Sequence, residues 1–186
     1  DGGVSGEDIL REIVKGANEH LTSSGRLFIV TDLVDVAHYE KKLALWWGNA
    51  HADTLVLKTA DRNEILFSVP HCHHPYNQTF VEYEKELVSW INNFRAENLK
   101  AVNFGYLLLN KNDSKTSYFC KTINNPSTAI HDKVVQYFNN KEILRNKNVT
   151  AVLLSVSSGV RIKKESNFNE QTSKEIIHLN SPDSPY

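Results

Sequence analysis

The chain has 186 residues, 40% of them hydrophobic and 23% charged, with 21 Lys plus Arg against 22 Asp plus Glu for a net charge of −1. That composition fits a globular chain with one core and a small annex, and it excludes a disordered acidic or basic tail. The balanced charge supplies no global attraction to nucleic acid or an anionic bilayer, no stretch reaches the ~20 apolar residues of a membrane span, and no secretion signal opens the chain, so we expect a cytoplasmic protein without a membrane partner.

Ser5 and Asp8 approximate a capping box, and Ile9, Leu10, Ile13, Val14, Ala17 and Leu21 recur at helical spacing, which predicts an amphipathic helix. Gly25 breaks it. Leu27-Phe28-Ile29-Val30 is a continuous apolar run, the pattern of a central strand covered on both faces. Asp35 is placed to cap a second helix carrying Val36, Tyr39, Leu43, Trp46 and Trp47, stopped by Gly48-Asn49. Leu55-Val56-Leu57 predicts a second strand, and Asp61-Arg62-Asn63 is turn chemistry between Thr54–Thr59 and Glu64–Val69, segments that either pair as a hairpin or flank a longer loop, the second ended by Pro70.

After a loop at His71–Gln78, Thr79 and Glu82 form a Thr-x-x-Glu box for a helix whose buried stripe is Tyr83, Leu87, Trp90, Ile91 and Phe94. Ala101–Leu109 and Thr116–Thr122 flank a polar turn and read as an antiparallel hairpin. Helix and strand thus alternate over about the first 110 residues, the pattern of a parallel sheet flanked by helices, here finishing in an antiparallel pair. Past Pro126, Ser127 is placed to cap a helix with Ile130, Val134, Tyr137 and Phe138. Val149–Val156, Val160–Lys163 and Lys174–Leu179 read as three short strands. The expected organisation is an α/β domain over 1–124, a small α+β annex over 125–180 and a frayed tail over 181–186.

Several constellations carry possible chemistry. His71-Cys72-His73-His74 offers imidazole and thiolate ligands suited to zinc or copper, but a structural zinc site wants four ligands in spaced pairs, so a polar loop at a strand end is the preferred reading. A Cys72–His nucleophile is disfavoured because sequence neighbours on a strand point to opposite faces. Ser155–Gly159 lacks the Gly-x-Ser-x-Gly elbow and reads as a turn. Arg161, Lys163 and Lys164, with Arg145 and Lys147, make a basic strip that reads as solvated surface in the absence of interleaved aromatics. Trp46, Trp47 and Trp90 sit on apolar helix faces and read as core. Cys72 and Cys120 are read as reduced thiols, and Asn77, Asn112 and Asn148 head chance glycosylation triplets.

Asp1-Gly2-Gly3 leading into Glu7–Leu21 and then Ser23-Ser24-Gly25-Arg26-Leu27-Phe28-Ile29-Val30 resembles the stretch after the Asn-Pro-Pro-Tyr/Phe motif in class I S-adenosylmethionine-dependent methyltransferases, in the branch of the release-factor glutamine and rRNA guanine enzymes. Tyr83, Trp90, Ile91 and Phe94 followed by Ala101–Leu109 resemble the helix and final hairpin of bacterial members with an extra C-terminal segment. The likeness covers residues 1–122 and extends only loosely to the annex. It implies the distal half of a Rossmann-like methyltransferase sheet, and a parent enzyme that uses S-adenosylmethionine to methylate a nitrogen of a protein, RNA or small molecule. By position, Asp1, Gly2 and Gly3 would border the acceptor pocket.

The sequence holds neither the Gly-x-Gly-x-Gly cofactor loop nor the Asn-Pro-Pro-Tyr/Phe tetrapeptide, so no catalytic residue and no cofactor are expected for this chain by itself. With no methionine and an opening at Asp1, the chain reads as the later part of a longer protein. The alternative from another class is a noncatalytic module that binds protein or nucleic acid, and an exposed sheet edge would invite self-association.

Overall fold

The computed structural model describes residues 2–3, 5–146, 161–165 and 176–180. It divides into two units, Asp1–Ala129 and Ile130–Tyr186. The first is α/β: α1 (Asp8–His20), β1 (Arg26–Val34), a short 3-10 turn (Val36–His38), α2 (Tyr39–Trp47), β2 (His51–Lys58), α3 (Glu64–His71), α4 (Phe80–Ala96), β3 (Val102–Asn112) and β4 (Ser117–Thr122). The second holds α5 (His131–Asn146) and an antiparallel pair, β5 (Arg161–Glu165) with β6 (Ile176–Asn180). The expected strand Val149–Val156, the turn Ser155–Gly159, Lys147, Asn148 and the tail 181–186 lie outside the described residues.

The sheet of the first unit runs β1-β3-β2-β4, with β3 antiparallel to both neighbours and β4 parallel to β2. Three expectations change here. β1 is an edge strand rather than a central one. Its odd residues Leu27, Ile29 and Leu33 join the core under α1 and α2, while Phe28 and Val30 on the other face are exposed. An apolar run therefore marked a strand that is half covered. The expected β3–β4 hairpin does not form, because β1 and β2 occupy both edges of β3 and leave β4 only the far edge of β2. Asn112 Oδ1 closes the crossing turn by accepting from Ser114 N and Lys115 N, both at 3.0 Å. The sheet is consequently mixed and mostly antiparallel.

Glu64–Val69 is helix rather than strand. Asn63, read as a turn residue, is an N-cap whose Oδ1 accepts from Ile65 N at 3.2 Å and Leu66 N at 2.9 Å. Pro70 lies inside that helix, near its end. The Thr79–Glu82 capping box of α4 is present with both reciprocal bonds, but of the predicted stripe only Phe94 is fully buried. Asp35 does not cap the second helix. It adopts a left-handed conformation, φ 50°, and its carboxylate accepts from Lys100 N at 2.8 Å and Ala101 N at 3.0 Å, tying the end of β1 to the start of β3. Nor does Ser5 box with Asp8: Glu7 takes the N-cap position of α1 without a side-chain cap bond.

Two clusters hold the unit together, one on each side of the sheet. Leu10 and Val14 of α1 and Tyr39, Leu43, Trp46 and Trp47 of α2 pack on Leu33, Val56, Leu107 and Leu109. Ile9 and Ile13, assigned to the same stripe by spacing, are instead exposed. On the opposite face Val34 and Val102 meet Phe67 of α3 and Phe94 of α4.

Candidate functional site

The first turn of the chain is built from glycines. Asp8 N donates to Gly2 O at 2.8 Å and Gly6 N to Gly3 O at 3.2 Å, and Gly3 and Gly6 sit at φ +74° and +77°. A Cβ on Gly2 would lie 2.6 Å from Gly6 O, so backbone meets backbone and side chains are excluded. Glu7, next in line, is buried and anchors this turn to α2: Tyr39 Oη donates to it at 2.7 Å and Lys42 Nζ at 2.6 Å. Lys42 also donates to Val34 O at 2.8 Å, so one ammonium joins the turn to the end of β1. Burial, reinforced by the Glu7 carboxylate, drives the Tyr39 phenol far above its usual range.

Beside this turn lies a cavity of about 540 Å³, walled by Gly2, Gly3 and Gly6, by Thr31 and Asp32 of β1, and by Phe67, Trp90 and Asn93 of α3 and α4. Among the described residues Asp32 is its one charged wall residue. Arg62 Nη2 donates to Asp32 Oδ1 at 2.6 Å, and the guanidinium lies 5.1 Å from the centre of the Phe67 ring. His71 stacks on the other side of the cluster, 4.1 Å from Phe67 between ring centres, and its Nδ1 donates to Phe67 O at 2.6 Å. That bond fixes the tautomer and turns Nε2 toward Asp32 Oδ2 at 3.9 Å. Trp90 closes the aromatic wall, 5.9 Å from Phe67. A carboxylate bordered by aromatic faces suits a ligand that presents N–H donors on a flat group.

The sequence-predicted residues divide. Gly2 and Gly3 lie on the cavity wall; Asp1 is outside the described residues. His71-Cys72-His73-His74 do not converge. His71 ends α3 and faces Asp32. Cys72 is buried, and burial pushes its thiol up, away from thiolate chemistry. His73 meets the Tyr83 ring edge-on at 6.1 Å, and His74 Nε2 faces Glu86 Oε1 at 3.7 Å. Among the described residues no three His, Cys, Asp or Glu side chains gather as a metal site. Trp46 and Trp47 are core, whereas Trp90 is a cavity wall. Arg161, Lys163 and Lys164 lie on β5 of the second unit, and Arg145 ends α5. Asp32, Arg62 and Asn93 were not singled out by sequence. The available signal was Asp32 itself, the lone charge inside the run Leu27–Val34.

The glycine turn folds back on its own carbonyls and on Asp8, and its amides of Gly6 and Asp8 are already donated within the turn. Among the described residues no helix is long and apolar enough to cross a membrane. No protein-family profile and no curated protein matches the sequence.

Proposed function

We propose that residues 1–122 form the distal part of a class I S-adenosylmethionine-dependent methyltransferase sheet, that the parent enzyme methylates a nitrogen, and that this chain supplies the acceptor side without the cofactor grip. The observation that carries the reading is the course of the sheet. β1 and β2 both run antiparallel to β3 and hence parallel to each other, linked by α2, and the third strand enters between them reversed. An antiparallel strand set between two parallel neighbours in this way sets a methyltransferase sheet apart from an ordinary nucleotide-binding one. The glycine turn, α1 and β1 follow one another in the order that the resemblance implies, and α1 and α2 share one face of the sheet.

Supporting detail comes from the cavity. Its wall includes Gly2 and Gly3, and among the described residues its one charged side chain is the Asp32 carboxylate, held by Arg62 through Oδ1, a group that accepts N–H bonds from an acceptor. What this chain does is hold such a group between Asp32, Asn93 and the Trp90 and Phe67 faces and keep one side of it from water. Methyl donation belongs to the cofactor and to residues beyond this chain.

Calorimetry tests the proposal. A longer chain that includes the sequence before Asp1 should give a saturable signal with S-adenosylhomocysteine, and the 186-residue chain none. Silence from both would favour a noncatalytic interaction module.

A further inference from the structure

We propose that the chain carries a second ligand site, on the α1 and α2 side of the sheet, for an uncharged molecule built on one aromatic ring and bearing a hydrogen-bond acceptor such as a carbonyl. The site is a cavity of about 170 Å³. Glu40, Leu43, Ala44 and Trp47 of α2 recur at helical spacing and so share the face that roofs it. Its floor is one row across three strands, where Leu109 of β3 and Tyr118 of β4 stand on either side of Thr54 of β2. The room exists because the wall is filled at Ala44, Ala50 and Ala52 by single methyl groups.

One atom of the wall is unsatisfied. Trp47 is 4% exposed, and its Nε1 is buried and meets no acceptor among the described residues. A buried N–H is ordinarily paired, so this one marks where an acceptor belongs. The neighbouring hydroxyls are already engaged: Ser117 Oγ donates to Asp53 Oδ1 at 2.5 Å, Thr116 Oγ1 meets His51 Nδ1 at 3.2 Å, and the Tyr118 phenol bonds to Cys120. Water is held by about two to four polar partners, and with those hydroxyls spent it finds chiefly the indole N–H among Leu43, Leu109 and the alanines. An apolar cavity of about 150 Å³ takes one benzene ring, so a ring carrying a carbonyl matches both the volume and the donor. Charge narrows the class further. Among the described residues Glu40 is the one charged wall side chain, and it is exposed. Its carboxylate repels an anion, while the indole N–H within offers an ammonium nothing to donate to. The cavity lies across the sheet from the one that Asp32 borders, and neither reading depends on the other.

Proton–nitrogen NMR of the 186-residue chain, with the Trp47 indole assigned by through-bond experiments, reads the site directly. Acetophenone should move the Trp47 indole N–H resonance downfield and saturably, with half-saturation at roughly 1 mM. α-Methylstyrene has the same shape with a methylene in place of the carbonyl oxygen and should give no comparable downfield shift. Benzoate should leave the resonance where it is. Ala44→Leu, at an exposed helical position that lines the cavity, should weaken acetophenone binding about tenfold or more while leaving the far-ultraviolet circular dichroism unchanged. A resonance that acetophenone does not move, an equal shift with α-methylstyrene, a response to benzoate, or full acetophenone affinity in Ala44→Leu overturns the proposal. None of these results bears on the methyltransferase reading, which stands or falls on cofactor binding by the longer chain.

Discussion

Glu7 is the residue on which the cavity's glycine turn depends. A buried carboxylate that keeps both of its donors is tolerated, and one that loses its cation is costly. Lys42→Ala should therefore destabilise the chain by about 2–4 kcal/mol, and Tyr39→Phe by only about 1–2, since the neutral donor alone is lost; urea unfolding followed by fluorescence measures both. Tyr39 also makes a pH prediction with a definite sign. Its phenol is raised in the folded chain above the ordinary tyrosine value of about 10, chiefly by burial. The unfolded chain therefore ionises first: the contribution is fully present below pH 10 and is lost as pH rises beyond it. Tyr118 is raised too, again chiefly by burial, and acts in the same direction. Urea midpoints measured above pH 10 should fall steadily, and Tyr39→Phe should make that fall shallower.

Gly105 is a third residue-scale case. A Cβ there would lie 2.6 Å from Leu57 O and 2.7 Å from Leu33 Cδ1, since β3 is squeezed between β1 and β2 at that point. Gly105→Ala should cost about 1–3 kcal/mol, read as a lowered thermal midpoint. An outcome within experimental error of the parent would show that the neighbouring strands part easily.

At the scale of elements, α3 shows how a cap outweighs composition. Glu-Ile-Leu-Phe-Ser-Val carries enough branched and aromatic residues to look like strand, yet Asn63 satisfies two amides of the first turn and starts a helix. Asn63→Ala should lower stability by about 1 kcal/mol and Asn63→Asp should retain most of it, as judged by urea midpoints. The helix matters beyond its own stability: it carries Phe67 and His71 to the cavity and ends at Cys72, whose thiol is thereby placed inside rather than on a reactive surface. α4 was legible throughout its length because its box and its periodicity agree. Its stripe was overestimated, since Tyr83, Leu87 and Ile91 are only half buried.

For the whole molecule, the strand order governs both the site and the edges. Among the described residues β3 has a bonded neighbour on each side, β1 and β4 on one. Native-state hydrogen exchange should find the amides of Leu107, Leu108 and Leu109 among the slowest in the sheet.

Sequence by itself determined the helices α1, α2 and α4, the strands β1, β2 and β3, the glycine turn and the aliphatic core of the first unit. Each of these is written in local periodicity, in capping residues or in glycine, all of which act over a few residues. Only tertiary structure decided that β1 lies at an edge, that β3 runs between β1 and β2, that β4 crosses to the far side of β2, and that Asp32, Arg62, His71 and Trp90 share one cavity. Strand neighbours are chosen by which edges remain open once the others are filled, and a cavity is made by residues as far apart in sequence as Gly2 and Val102, neither of which leaves a local trace.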